Sequence, residues 1–106
     1  MKVKKIKIGV VGVDSGQILV CDPCYIASQW KETPYSFGTE RTHEFSYDGC
    51  CKETVSSPDG GGQLNYKEGH PGAGVVVRSG YGDGVYPVYI TLTSTGRVKR
   101  LEIVFF

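Results

Sequence analysis

Apolar and polar positions alternate with period two along several stretches of the chain, and that alternation predicts strands. In the first stretch Ile6, Ile8 and Val10 alternate with Lys5, Lys7 and Gly9. Residues 17–21, Gln-Ile-Leu-Val-Cys, are apolar on both faces, as in a strand covered on both sides. Asp14-Ser15-Gly16 stands between the two as a turn, because Asp and Ser bond the nearby backbone and Gly takes positive φ. Pairing these two strands as a hairpin is the simplest expectation. Residues 74–78 read as a valine-rich strand. Tyr86, Val88, Ile90 and Leu92 then face one way, Pro87, Tyr89, Thr91 and Thr93 the other. After the Thr95-Gly96 turn, Leu101, Ile103 and Phe105 alternate with Arg100 and Glu102. Residues 74–105 are therefore expected to form an antiparallel three-stranded meander, with Tyr86, Val88, Ile90, Leu92, Leu101, Ile103 and Phe105 directed inward. Pro87 has no N–H for a ladder, so it is expected on an edge, at a bulge or where that N–H would face nothing.

Between the strand-rich ends the pattern changes. Asp22-Pro23 ends a strand and also starts a helix well, since Asp is a favoured N-cap and Pro a favoured first residue. A two-turn helix over residues 23–30 would bury Ile26 and Trp30. From residue 31 to 72 apolar density falls. Within that stretch His43, Phe45 and Tyr47 alternate, Asp48-Gly49 is a hairpin signal and residues 51–55 are a candidate returning strand. Residues 56–62 have the composition of a surface loop. The predicted fold is all-β, a mainly antiparallel sandwich or barrel-like sheet with one short helix after Asp22-Pro23. Residues 1–106 form one β-rich domain on length alone.

Charge narrows the function classes. Lys and Arg number 12 against 11 Asp and Glu, a net charge of +1, so no global field draws the chain to nucleic acid or to a membrane. Lys2, Lys4, Lys5 and Lys7 cluster, but their alternation with apolar residues reads as a solvated or protected sheet edge. No run is long enough to span a membrane, and no apolar h-region follows the basic start. A cytoplasmic setting with reduced thiols is the expectation. Cys21 and Cys24 have the spacing of half a zinc site. Adjacent Cys50 and Cys51 cannot supply the second half, so neither metal nor any other cofactor is expected.

The candidate chemistry lies in turns. Ser79-Gly80-Tyr81-Gly82-Asp83-Gly84 places three glycines around one carboxylate, more than a hairpin needs. It is either a structural turn or a bared backbone that meets a ligand beside Asp83, Tyr81 and Tyr86. Asp14 and Asp22 also sit at strand ends, where they cap and turn the chain or join Asp83 on one rim. Asp14, Asp22, Tyr81, Asp83 and Tyr86 are the candidate ligand-binding residues. Seven tyrosines suit recognition as well as strands. A non-catalytic binding or regulatory module for a small molecule or a protein partner is the first reading. The alternative is a hydrolase-like or metal-dependent enzyme using Asp14, Asp22 and Asp83. His43 and His70 are isolated and read as surface or packing residues. An exposed edge strand could also pair two copies into a homodimer.

The segments Asp14-Ser15-Gly16 with Cys21-Asp22-Pro23, and Ser79-Gly80-Tyr81-Gly82-Asp83-Gly84 running into Tyr86-Pro87-Val88-Tyr89, resemble the signatures of an uncharacterised bacterial family, the domain of unknown function 4241. That resemblance covers about a third of the chain and implies no activity.

Overall fold

In the computed structural model, residues 4–106 are described, and Lys2 of the basic cluster lies outside them. Six strands and two helices follow in the order β1 (Lys4–Val13), β2 (Gln17–Cys21), α1 (Pro23–Ser28), α2 (Tyr47–Ser56), β3 (Gly61–Asn65), β4 (Pro71–Arg78), β5 (Gly84–Leu92) and β6 (Val98–Ile103). All strand pairs are antiparallel, so the mainly antiparallel β class holds. The strands form two open three-stranded sheets, β1-β5-β6 and β2-β4-β3. Each sheet belongs to its own compact unit. One unit comprises residues 4–16 with Ser79–Phe106, the other Gln17–Arg78.

Two expected pairings are replaced. β1 pairs with β5 and β2 with β4, so the first two strands form no hairpin. β4 likewise joins β2 and β3, leaving only β5 and β6 of the expected meander adjacent. The turns explain why. Gly16 donates its N–H to Asp83 Oδ1 at 2.8 Å, and its carbonyl accepts from Ser79 N at 3.0 Å. The two turns are thus bonded to each other, each carrying the chain from one sheet to the other.

In the first unit, register places Val11, Tyr86, Val88, Ile90, Leu92, Leu101 and Ile103 on one sheet face. Tyr86 is buried, meeting Phe105 edge-on at 5.2 Å, while Val88, Ile90, Leu92, Ile103 and Phe105 are half-buried. Leu101, expected inward, is 52% exposed. On the opposite face Lys5 pairs with Glu102 at 3.4 Å and lies 4.9 Å above the Tyr89 ring. Pro87 sits on the central strand. Its carbonyl accepts from Val104 N at 3.3 Å, just past the end of β6, so the missing N–H falls where the ladder has run out.

The second unit holds the core cluster Phe45, Cys50, Leu64, Ala73 and Val76, with Leu19, Cys21, Tyr25, Trp30 and Tyr66 packed against it. The short helix after Asp22-Pro23 forms as expected, though it ends at Ser28 and leaves Ile26 48% exposed. Residues 47–56 are a helix, not the expected hairpin. Ser46 caps it by accepting from Gly49 N at 2.9 Å. Gly49 is there for space, because a Cβ would lie 1.8 Å from the Glu44 carbonyl oxygen.

Candidate functional site

The five residues singled out in the sequence divide between the units. Asp14, Tyr81, Asp83 and Tyr86 belong to the first and Asp22 to the second. Asp14 and Asp83 are exposed on the two turns that Gly16 joins. Gly80 and Gly82 have φ of 59° and 87°, values that side chains disfavour, so these glycines serve the turn itself. Ser79 Oγ and the Tyr86 hydroxyl both donate to the Gly82 carbonyl, at 2.6 and 2.8 Å. Tyr86 is 3% exposed and Tyr81 76% exposed. Asp22 accepts from Cys24 N at 3.0 Å as the cap of α1, and that bond holds its carboxyl below the usual range.

A different cluster arises in the second unit, where α2 carries Glu53 against β3. Its side chain is fully buried. Oε2 accepts from Arg41 Nε at 3.1 Å and Nη2 at 2.7 Å. Oε1 lies 3.0 Å from His43 Nδ1, which is also 2.9 Å from the Gln63 carbonyl. A single Nδ1–H satisfies one acceptor at a time, and directed at Gln63 it leaves Oε1 the one buried side-chain polar atom without a hydrogen bond among the described residues. Gly62 permits this packing, since a Cβ there would lie 2.1 Å from Oε2.

His43 holds a left-handed backbone, φ 56°, uncommon for a residue with a side chain. Neighbouring segments hold it there. Asn65 N donates to the His43 carbonyl at 2.8 Å and Lys31 N to the Phe45 carbonyl at 2.9 Å, so residues 29–31, 42–46 and 65–67 run side by side. Between them opens a cleft of about 190 Å³ lined by Gln29, Lys31, His43, Glu44, Phe45, Asn65, Tyr66 and Lys67, among others. Gln29 Oε1 accepts from Lys67 N at 2.9 Å, which leaves the amide NH₂ of Gln29 as a donor. Tyr66 is fixed by His70 at 4.6 Å and by Tyr25 edge-on at 4.9 Å; hydrogen bonding with Tyr66 pushes the Tyr25 hydroxyl up to about 12. Lys31 reaches Glu44 only at 3.8 Å, with its side chain half exposed.

The cysteines are unbridged, Cys24 exposed and Cys50 buried, and burial pushes the Cys50 thiol up to about 12. Among the described residues no group of three or more His, Cys, Asp or Glu side chains is arranged to hold a metal ion, and no helix is long and apolar enough to cross a membrane.

Sequence reasoning passed over the cleft. Glu53 lies within residues 51–55, read as a returning strand, and that reading hid the helical face that brings Glu53 to Arg41 and His43. The nearest sequence signal was Gly61-Gly62, a point of close approach that read as loop composition.

Fold and cleft together define a small antiparallel β-rich module with a polar recess in one unit. The chain belongs to the family described as protein of unknown function (DUF4241), whose model matches residues 8–103. No curated protein and no solved structure matches it.

Proposed function

We propose that the protein is a non-catalytic binding module whose ligand is a small anionic molecule, held in the cleft between residues 29–31, 42–46 and 65–67. The observation that carries this reading is the balance of groups around the recess. Lys31, His43 and Lys67 line it with the amides of Gln29 and Asn65, against the single carboxylate of Glu44. Phe45 and Tyr66 add an apolar wall. Such a site suits a compact carboxylate or phosphate, whose oxygens gain charge-assisted hydrogen bonds from ammonium groups. From behind, the imidazole is held by the Gln63 carbonyl and lies against Glu53, which is buried and fixed by Arg41, so that recognition starts from an ordered wall.

Binding is favoured over the carboxylate-based enzyme because Asp22 and Asp83 already accept backbone hydrogen bonds that shape a helix cap and a turn. The four unbridged cysteines support a reducing, cytoplasmic setting. Calorimetric titration with inorganic phosphate and with succinate tests the proposal. Saturable binding of at least one, weakened roughly tenfold by Lys67→Ala through loss of a charged hydrogen bond, is expected. Glu44→Gln should tighten it. Equal affinity in the wild type and Lys67→Ala, or no binding of either anion, contradicts the assignment.

A further inference from the structure

The two edges of the β1-β5-β6 sheet differ in how they meet another strand. β1 carries Lys4, Lys5 and Lys7, and lysines on an edge oppose the approach of a second like-charged strand. β6 has no strand on its outer side among the described residues, and its sequence is Val98-Lys99-Arg100-Leu101-Glu102-Ile103.

The backbone phase of β6 is set by one hydrogen bond. Val104 N donates to the Pro87 carbonyl, so residues 104, 102 and 100 direct their N–H and C=O at β5. By the alternation of an antiparallel ladder, Leu101 and Ile103 direct theirs outward. A second copy can add antiparallel to this edge about a twofold axis perpendicular to the sheet. Opposed residues then share a face; an axis at Arg100 or Glu102 would set like charges face to face at the close spacing of a non-hydrogen-bonded pair, which leaves Leu101 and Ile103, whose backbones point outward.

Placed at Leu101, the axis makes the two Leu101 backbones exchange N–H···O=C bonds. It also sets Arg100 of each copy opposite the partner's Glu102. These are the pairs without backbone hydrogen bonds between them, where facing Cα atoms approach to about 4.5 Å and side chains interact most closely. The two Leu101 side chains meet on the apolar face, each 52% exposed in the single chain. Placed at Ile103, the axis instead sets Arg100 opposite Phe106 and Glu102 opposite Val104, and the charges lose their partners. Arg100 and Val98 face the adjacent β5 residues Thr91 and Leu92, so Lys99 is an extra, bulged residue of β6, which confines the regular pairing to residues 100–103.

We propose that β6 is a self-recognition edge: two copies of this chain pair antiparallel about Leu101, held by two Arg100–Glu102 contacts, and join their sheets into one of six strands. Glu102 is then shared between Lys5 of its own chain and the partner's Arg100.

Sedimentation velocity over a concentration series tests the register. The wild type should show reversible dimerisation. Arg100→Glu makes the edge of each copy doubly acidic and Glu102→Arg doubly basic, so each variant alone should dimerise on the order of tenfold more weakly or worse. An equimolar mixture of the two should recover a heterodimer. Leu101→Pro removes an N–H that β5 does not use, so circular dichroism and the melting temperature should stay close to wild type while dimerisation is lost. A wild type that is monomeric at every concentration, a dimer that persists in the folded Leu101→Pro protein, or Arg100→Glu and Glu102→Arg variants that fail to recover on mixing would each overturn the proposal.

Discussion

Gly62 shows how one residue sets the chemistry of a unit. A hydrogen there leaves room for the Glu53 carboxylate, and a methyl group would lie 2.1 Å from Oε2 and 3.1 Å from Arg41 Nη2. A surface carboxylate would swing aside. Glu53 cannot, because it is fully buried and moving it breaks both Arg41 contacts. Gly62→Ala should therefore destabilise the protein by about 1–3 kcal/mol, in the range of overpacked sites, with the urea midpoint as readout. Asp83 makes the contrasting case. Its Oδ1 accepts from Gly16 N, and an amide oxygen can do the same. Asp83→Asn should leave stability within roughly 0.5 kcal/mol, while Asp83→Ala should cost about 1 kcal/mol through loss of the acceptor. A large loss of stability in Asp83→Asn would show that charge matters there and not acceptor geometry alone.

At the scale of elements, strands were legible where one face is apolar. β5 and β6 follow their alternation and α1 follows its Asp-Pro start, whereas β1 forms as a strand with its alternation broken by an irregularity between Lys7 and Gly9 that leaves Ile8 and Val10 exposed. The β5–β6 pairing was legible from its local turn, but the partners of β1, β2 and β4 were not, because they depend on where two turns bond to each other and local pattern carries no trace of the Gly16–Asp83 contact. α2 was missed for a specific reason: Asp48-Gly49 is a strong hairpin signal, yet Asp48 and Gly49 occupy the first turn of a helix capped by Ser46. Asp48 there accepts from Lys52 Nζ at 2.9 Å and from Ser36 N at 2.9 Å, and these contacts hold its carboxyl below the usual range, Lys52 foremost. Glu44 is lowered too, chiefly by Ser46, and Asp22 by the Cys24 N–H. A carboxyl whose folded pKa lies below its unfolded one contributes stability that is present above the unfolded value and is lost as pH falls through the folded value. Thermal melts should thus hold steady from pH 7 to about 4 and decline below that. Asp48→Asn should start less stable and decline less steeply. A parallel decline in both proteins would remove Asp48 from the acid response.

For the molecule as a whole, the division into two units separates what the sequence made visible from what it concealed. The glycine turn around Asp83 stood out because glycine spacing is a local signal, and its exposed groups lie in the first unit. The cleft lies wholly in the second, assembled from three segments whose residues are ordinary in sequence: two lysines, an isolated histidine and two amides. Only hydrogen bonds between distant residues, Asn65 to His43 and Lys31 to Phe45, bring them together. Under the proposed function, ligand binding belongs to the recess and the glycine motif forms the turn. Backbone amide spectra of ¹⁵N-labelled protein titrated with inorganic phosphate and with succinate test that division most directly. At least one of the two anions should shift the amides of residues 29–31, 42–46 and 65–67 in a saturable way. Shifts centred instead on residues 14–16 and 80–84, with the cleft amides unmoved, would contradict it and return the binding role to the Asp83 turn.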